Sequence, residues 1–125
     1  VLLLIPAVCS KKAELRMGIA VANRKCPMEI EKGMVVTEIA MHGDDIVYSC
    51  EMDETGGISI CEMNNPYVKA VMKEALIMGL RFNTDSETQD FIELIKDTES
   101  TIVCKMTGTS SGCEMSIPVR YTELK

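Results

Sequence analysis

The sequence predicts an α+β fold, an antiparallel sheet built from two β-hairpins with about three helices packed on one of its faces. Two stretches of alternating apolar residues, each folded about a short polar turn, carry that prediction together with the helical stripes between them. In residues 34–52, Val35, Thr37, Ile39 and Met41 share one face of a first strand; Ile46, Tyr48, Cys50 and Met52 share one face of a second. The reason is that strand side chains alternate with period two. A loop at His42-Gly43-Asp44-Asp45 sets Met41 opposite Ile46, Ile39 opposite Tyr48 and Val35 opposite Met52. Both apolar sets then fall on one side of the ribbon. The closing hairpin repeats the construction. Ile102, Cys104 and Met106 meet Cys113, Met115, Ile117 and Val119 across a Thr109-Ser110-Ser111-Gly112 loop, with Met106 opposite Met115 and Cys104 opposite Ile117. Hairpins with one apolar face are not stable alone, so helices must cover them.

The helices follow in order. Leu15, Gly18, Ile19 and Ala22 recur at helical spacing between Lys12 and Asn23, with Met17 and Val21 widening the stripe. Cys26-Pro27 ends that helix, because the residue before proline avoids helical geometry. After Met52 a turn cluster leads to Ile58-Ser59-Ile60-Cys61, whose alternation suggests a short edge strand. Asn65 as N-cap and Pro66 at the first helical position start a second helix running to about Phe82, with Val68, Val71, Met72, Ala75 and Gly79 on one face. Thr84 and Glu87 match a capping box for a third helix that turns Phe91, Leu94 and Ile95 inward.

At 125 residues the chain is long enough to bury a core without staples. Trp is absent and Met numbers 10, so that core is aliphatic and sulfur-rich. The 19 acidic residues against 13 Lys and Arg leave a net charge of -6, which argues against a nucleic-acid partner.

Residues 1–10, Val1-Leu2-Leu3-Leu4-Ile5-Pro6-Ala7-Val8-Cys9-Ser10, form an apolar run ending in small residues and followed by Lys11-Lys12. The run is too short to span a bilayer and fits the end of an export signal. Two processings fit it: lipid attachment at Cys9, or cleavage after Ser10. The expected organisation is therefore an export-signal or lipid-anchor remnant over 1–10 and a single α+β domain over 11–125. A tether at Cys9 would place the chain at a membrane.

The segments Ala22-Asn23-Arg24-Lys25-Cys26-Pro27-Met28, Ile46-Val47-Tyr48 and Gly108-Thr109-Ser110-Ser111-Gly112 resemble an uncharacterised family of small exported proteins, many lipid-anchored, of gut-dwelling Gram-negative bacteria. The resemblance implies a place in the periplasm or outer membrane. It implies no activity and no catalytic residue.

Parts for catalysis are missing from the pattern. The one histidine, His42, sits in a predicted turn beside Asp44 and Asp45, without the positioned partner that a general base needs. No phosphate loop or zinc-type cysteine spacing occurs, so the expectation is a non-enzymatic protein that uses no cofactor. One repeated motif suggests an alternative. Cys26, Cys50, Cys61, Cys104 and Cys113 are each followed two residues later by Met. In a strand each pair presents a thiol and a thioether on one face, a donor set suited to copper(I). Cys104, Met106, Cys113 and Met115 are the candidate ligands. The competing explanation is a sulfur-filled core.

Two surfaces could hold partners. Ala75, Leu76, Ile77, Met78 and Leu80 make the second helix apolar nearly all round, which could seat a second copy of the chain. The outward side of the first hairpin, Val36, Glu38, Ala40, Val47, Ser49 and Glu51, mixes apolar and acidic residues. The expected role is that of a binding or structural module of the cell envelope.

Overall fold

A computed structural model describes the backbone of residues 4–124 and the side chains of residues 11–124. The elements run α1 (Leu4–Asn23), β1 (Met28–Glu31), β2 (Met34–His42), β3 (Asp45–Met52), α2 (Ile60–Met63), α3 (Pro66–Arg81), α4 (Ser86–Thr98), β4 (Thr101–Gly108) and β5 (Glu114–Arg120), closed by a 3-10 turn at Tyr121–Leu124. The five strands form one sheet in the order β1-β2-β3-β4-β5. Every pair is antiparallel except β3 with β4, which run parallel. Parallel neighbours need a long crossover, and α2, α3 and α4 supply it. The two hairpins therefore meet side by side in one direction, an arrangement that alternation alone does not encode.

Both predicted registers hold at their centres. Met41 pairs with Ile46 and Ile39 with Tyr48; Met106 pairs with Met115 and Cys104 with Ile117. The first turn is tighter than expected, since His42 and Asp45 are themselves paired. Gly43 at φ 63° provides the positive φ that a two-residue hairpin turn requires.

Further along β2 the prediction fails. A bulge between Val36 and Glu38 inserts Thr37, so Met34 rather than Val35 lies opposite Met52. Val36, expected on the outward side, is instead 3 % exposed in the core. One extra residue exchanges the two faces of a strand. The chain satisfies the disturbed backbone from two sides. The Thr37 hydroxyl donates to the Ser49 carbonyl at 3.1 Å, and the Ile39 N–H donates to Asn23 Oδ1 at 2.9 Å. Asn23 is the last residue of α1, so the helix end and the bulge are locked together.

Leu15 and Ile19 of α1, Ile77 of α3, and Ile92 and Ile95 of α4 join Ile46, Ile102, Met106, Met115, Ile117 and Val119 of the sheet in one core. α1 starts at Leu4, upstream of the predicted Lys12. β1 is an additional edge strand. Ile58–Cys61 is not a strand: its end enters α2, whose N-cap Ser59 accepts from the Cys61 N–H and whose first residue, Ile60, is fully buried. For α3, Asn65 caps as expected, its Oδ1 accepting from the Val68 N–H at 2.9 Å. For α4 the cap is Asp85 rather than Thr84.

Loops at one end of the sheet converge on Glu54. Its carboxylate accepts from the N–H groups of Ile60 (2.8 Å), Ser110 (2.9 Å) and Ser111 (2.7 Å) and from the Ser111 hydroxyl (2.8 Å). These donors favour the ionised form, holding the carboxyl at about 2. A Cβ on Gly108 would land on the Glu54 carboxylate, so any other residue there must displace that carboxylate from its donors. Beside it a disulfide joins Cys61 to Cys113, with Cα atoms 5.3 Å apart.

Candidate functional site

The helices do not cover the whole inner face of the sheet. A cavity of about 200 Å³ remains, open to solvent, between the sheet and the α3–α4 corner. Ile30, Val36, Tyr48, Cys50, Ile102, Cys104 and Val119 form its floor, and Leu76, Leu80 and Phe91 its wall. Each strand thus contributes at least one side chain through the two-residue alternation, while α3 contributes through the i, i+4 pair Leu76 and Leu80. Apart from the Tyr48 phenol and two thiols, the lining is hydrocarbon.

The apolar surroundings act on the polar groups within it. Burial pushes the Tyr48 phenol up to about 12, with Cys104, Cys26 and Cys50 nearby adding to the effect. The Cys104 thiol is pushed up by its hydrogen bond to Cys50 and by burial, and Cys50 is lowered by that same bond.

A second depression adjoins the first, sharing Tyr48 and Phe91. It lies between α1 and the start of α4 and is lined by Ile19, Val21 and Ala22 on one side and Asp85, Glu87 and Asp90 on the other, with Lys25 at its edge. Together they make an apolar trough with a mainly acidic mouth. Apolar rims extend it, because Ile30 is 50 % and Val21 51 % exposed.

The sequence-predicted sites distribute differently. Cys9 lies within α1, and its side chain is outside the described residues. His42 ends β2 at an exposed position, away from both depressions. The copper quartet does not assemble. Cys113 is bonded to Cys61, Met106 and Met115 are buried core residues, and among the described residues no group of three or more His, Cys, Asp and Glu could hold a metal ion. The four sulfurs are thus divided between a disulfide, the core and the cavity floor, and the copper reading is not supported.

The apolar surface of α3 divides into two faces. Leu76, Ile77 and Leu80 turn inward, which withdraws them from the expected dimer surface; Ala75 and Met78 point outward. The inward face is also rotated from the predicted one, since Val71 is exposed while Leu76 and Leu80 line the cavity. Tyr67, Val71, Met78 and Phe82 leave an exposed apolar ridge along the outer side. No helix among the described residues is long and apolar enough to cross a membrane.

Sequence reasoning missed the trough because its lining comes from eight separate helices and strands and from the loops at Lys25 and Asp85. One signal was available: Leu76 and Leu80 exceed what one buried stripe requires.

No protein-family model matches the chain, and no curated protein matches it. Solved structures do share its fold. A protein from Pseudomonas aeruginosa described as secreted superposes with a TM-score of 0.63 at 9 % identity, covering 92 % of this chain and 96 % of its own. EpsS, a pilotin from the type 2 secretion system of Vibrio vulnificus, gives 0.59 at 12 % identity over 93 % and 96 %. AspS, the type II secretion system pilotin of Vibrio cholerae, gives 0.59 at 12 % identity over 94 % and 98 %. The chain is similar in fold, over nearly its whole length, to a secreted protein and to two secretion-system pilotins.

Proposed function

We propose that this chain is an exported, non-enzymatic envelope protein that holds an apolar segment of another protein in its trough, with Cys9 as the point of attachment to a membrane. The trough carries the reading. Its inner cavity, about 200 Å³ and open to solvent, is by itself smaller than the roughly 300–1,000 Å³ of small-molecule sites. Within that inner cavity the Tyr48 phenol and the Cys50 and Cys104 thiols are the polar groups, set in a hydrocarbon lining. It has room for one or two bulky side chains. Asp85, Glu87 and Asp90 at the mouth favour a segment whose apolar anchors are flanked by Lys or Arg. An amphipathic helix offers that combination, with anchors three and four residues apart. The two pilotin neighbours support a partner from a protein-secretion apparatus.

Photo-crosslinking in the native-type host tests the reading. A photoreactive residue at Ile30, on the trough rim, should capture one envelope protein, mapped to an apolar segment with basic flanks. The same residue at Thr37, on the other face of the sheet, should not capture it. Equal capture from both positions, or none from Ile30, would refute the docking reading.

A further inference from the structure

Among the described residues three thiols remain free beside one disulfide: Cys26, Cys50 and Cys104. Two of them, Cys50 and Cys104, line the cavity floor. They project from neighbouring parallel strands, out of step by two residues, because Tyr48 pairs with Cys104 and Cys50 with Met106. Two residues of rise and one strand spacing put their Cα atoms roughly 8 Å apart. That exceeds the ~7 Å beyond which a disulfide cannot close without backbone movement. Yet both side chains turn into the same cavity from the same face of the sheet, and the Cys50 S–H donates to the Tyr48 carbonyl at 3.9 Å. The pair is too far apart for a direct S–S bond, but both side chains enter one cavity, where a single intervening atom can bridge the diagonal between them.

We propose that Cys50 and Cys104 form a dithiol site that takes trivalent arsenicals through two As–S bonds at the cavity floor. Arsenic(III) is soft and three-coordinate, so two thiolates and one organic or hydroxyl group complete it. Transition-metal ions generally take more protein donors, and the pair has no third His, Cys, Asp or Glu among the described residues. For phenylarsine oxide the reaction is a condensation. Two As–S bonds replace the bonds to oxygen, both thiol protons leave with that oxygen as one water, and arsenic stays trivalent. The apolar wall of Leu76, Leu80 and Phe91 would pack against the phenyl group. This inference does not rest on the docking reading.

The test uses the full chain with its Cys61–Cys113 disulfide intact and phenylarsine oxide at equal concentration. Intact mass should show the addition of one phenylarsine oxide less one water, that is, one phenylarsenic unit gained and two thiol hydrogens lost. The adduct should survive excess monothiol, come off with a dithiol, and block maleimide labelling of Cys50 and Cys104 together. Cys104→Ser should abolish the monothiol-resistant adduct, with Cys104→Ala as a second variant and circular dichroism as the check on folding. Cys26→Ser should retain the adduct. A resistant adduct that persists in a folded Cys104 variant, that maps to Cys26, or that fails to form on the native chain would overturn the proposal. Should neither Cys104 variant fold, the labelling map of the unaltered chain decides the matter alone.

Discussion

The disulfide makes the most quantitative prediction. Cys61 and Cys113 are 52 residues apart, and the loop they close contains α3, α4 and β4. Cross-linking removes loop-closure entropy from the unfolded chain, by about 2.1 + 1.5R ln n cal/mol/K, which for this loop is about 4 kcal/mol at 25 °C. The double variant Cys61→Ala/Cys113→Ala should lose that amount. At roughly 3–5 °C per kcal/mol for a chain of this size, its melting temperature should fall by about 12–20 °C. Urea denaturation followed by circular dichroism measures the loss directly. It should also show a larger m-value in the variant, because an uncrosslinked unfolded chain exposes more surface. A loss below about 1 kcal/mol with an unchanged m-value would refute the loop-entropy argument.

The other predictions concern single side chains. Glu54, held near 2 by its donors against an ordinary value of 4.5, contributes stability that is fully present above pH 4.5 and lost as pH falls through 2. The melting temperature should therefore drop across that window, and Glu54→Gln should flatten the drop. Gly108→Ala should destabilise strongly in the native chain and much less in a Glu54→Ala background, since the added methyl would meet the Glu54 carboxylate. Asn23→Ala leaves the Ile39 N–H without its 2.9 Å acceptor and should cost about 1–2 kcal/mol in urea denaturation. Of the three tyrosines, Tyr48 should ionise near pH 12 in an absorbance titration. Because the unfolded phenol ionises first, near 10, that group should erode stability between pH 10 and 12.

Legibility from sequence followed the range of the governing interaction. The hairpin registers at Met41–Ile46 and Met106–Met115 were readable because alternation and turn position act within a few residues. The bulge at Thr37 was not, because the Asn23 side chain that satisfies it comes from a helix 16 positions from Ile39 in sequence. β1 escaped notice because its four residues, Met28-Glu29-Ile30-Glu31, are all exposed and carry no core signature. At Ile58–Cys61 alternation suggested a strand, but the Ser59 cap, the buried Ile60 and the Cys61 disulfide commit the chain to a helical turn. The Cys61–Cys113 pairing is not legible in the sequence, because it depends on the parallel β3–β4 junction that carries the start of β5 back to α2. Leu76 and Leu80 were visible as surplus apolar residues on α3, but whether they faced a second copy or the chain's own cavity depended on the helix's rotation against the sheet.

The central claim is that the trough between the sheet and the α3–α4 corner receives a basic, amphipathic segment. Methyl-detected NMR during titration with a synthetic helix, its leucine face flanked by lysines, tests that most directly. Methyl shifts should appear at Ile30, Leu76, Leu80 and Ile102. They should weaken in high salt and vanish in Phe91→Asp. Shifts confined to Val71 and Met78 on the outer ridge of α3, or none at the trough methyls, would contradict it.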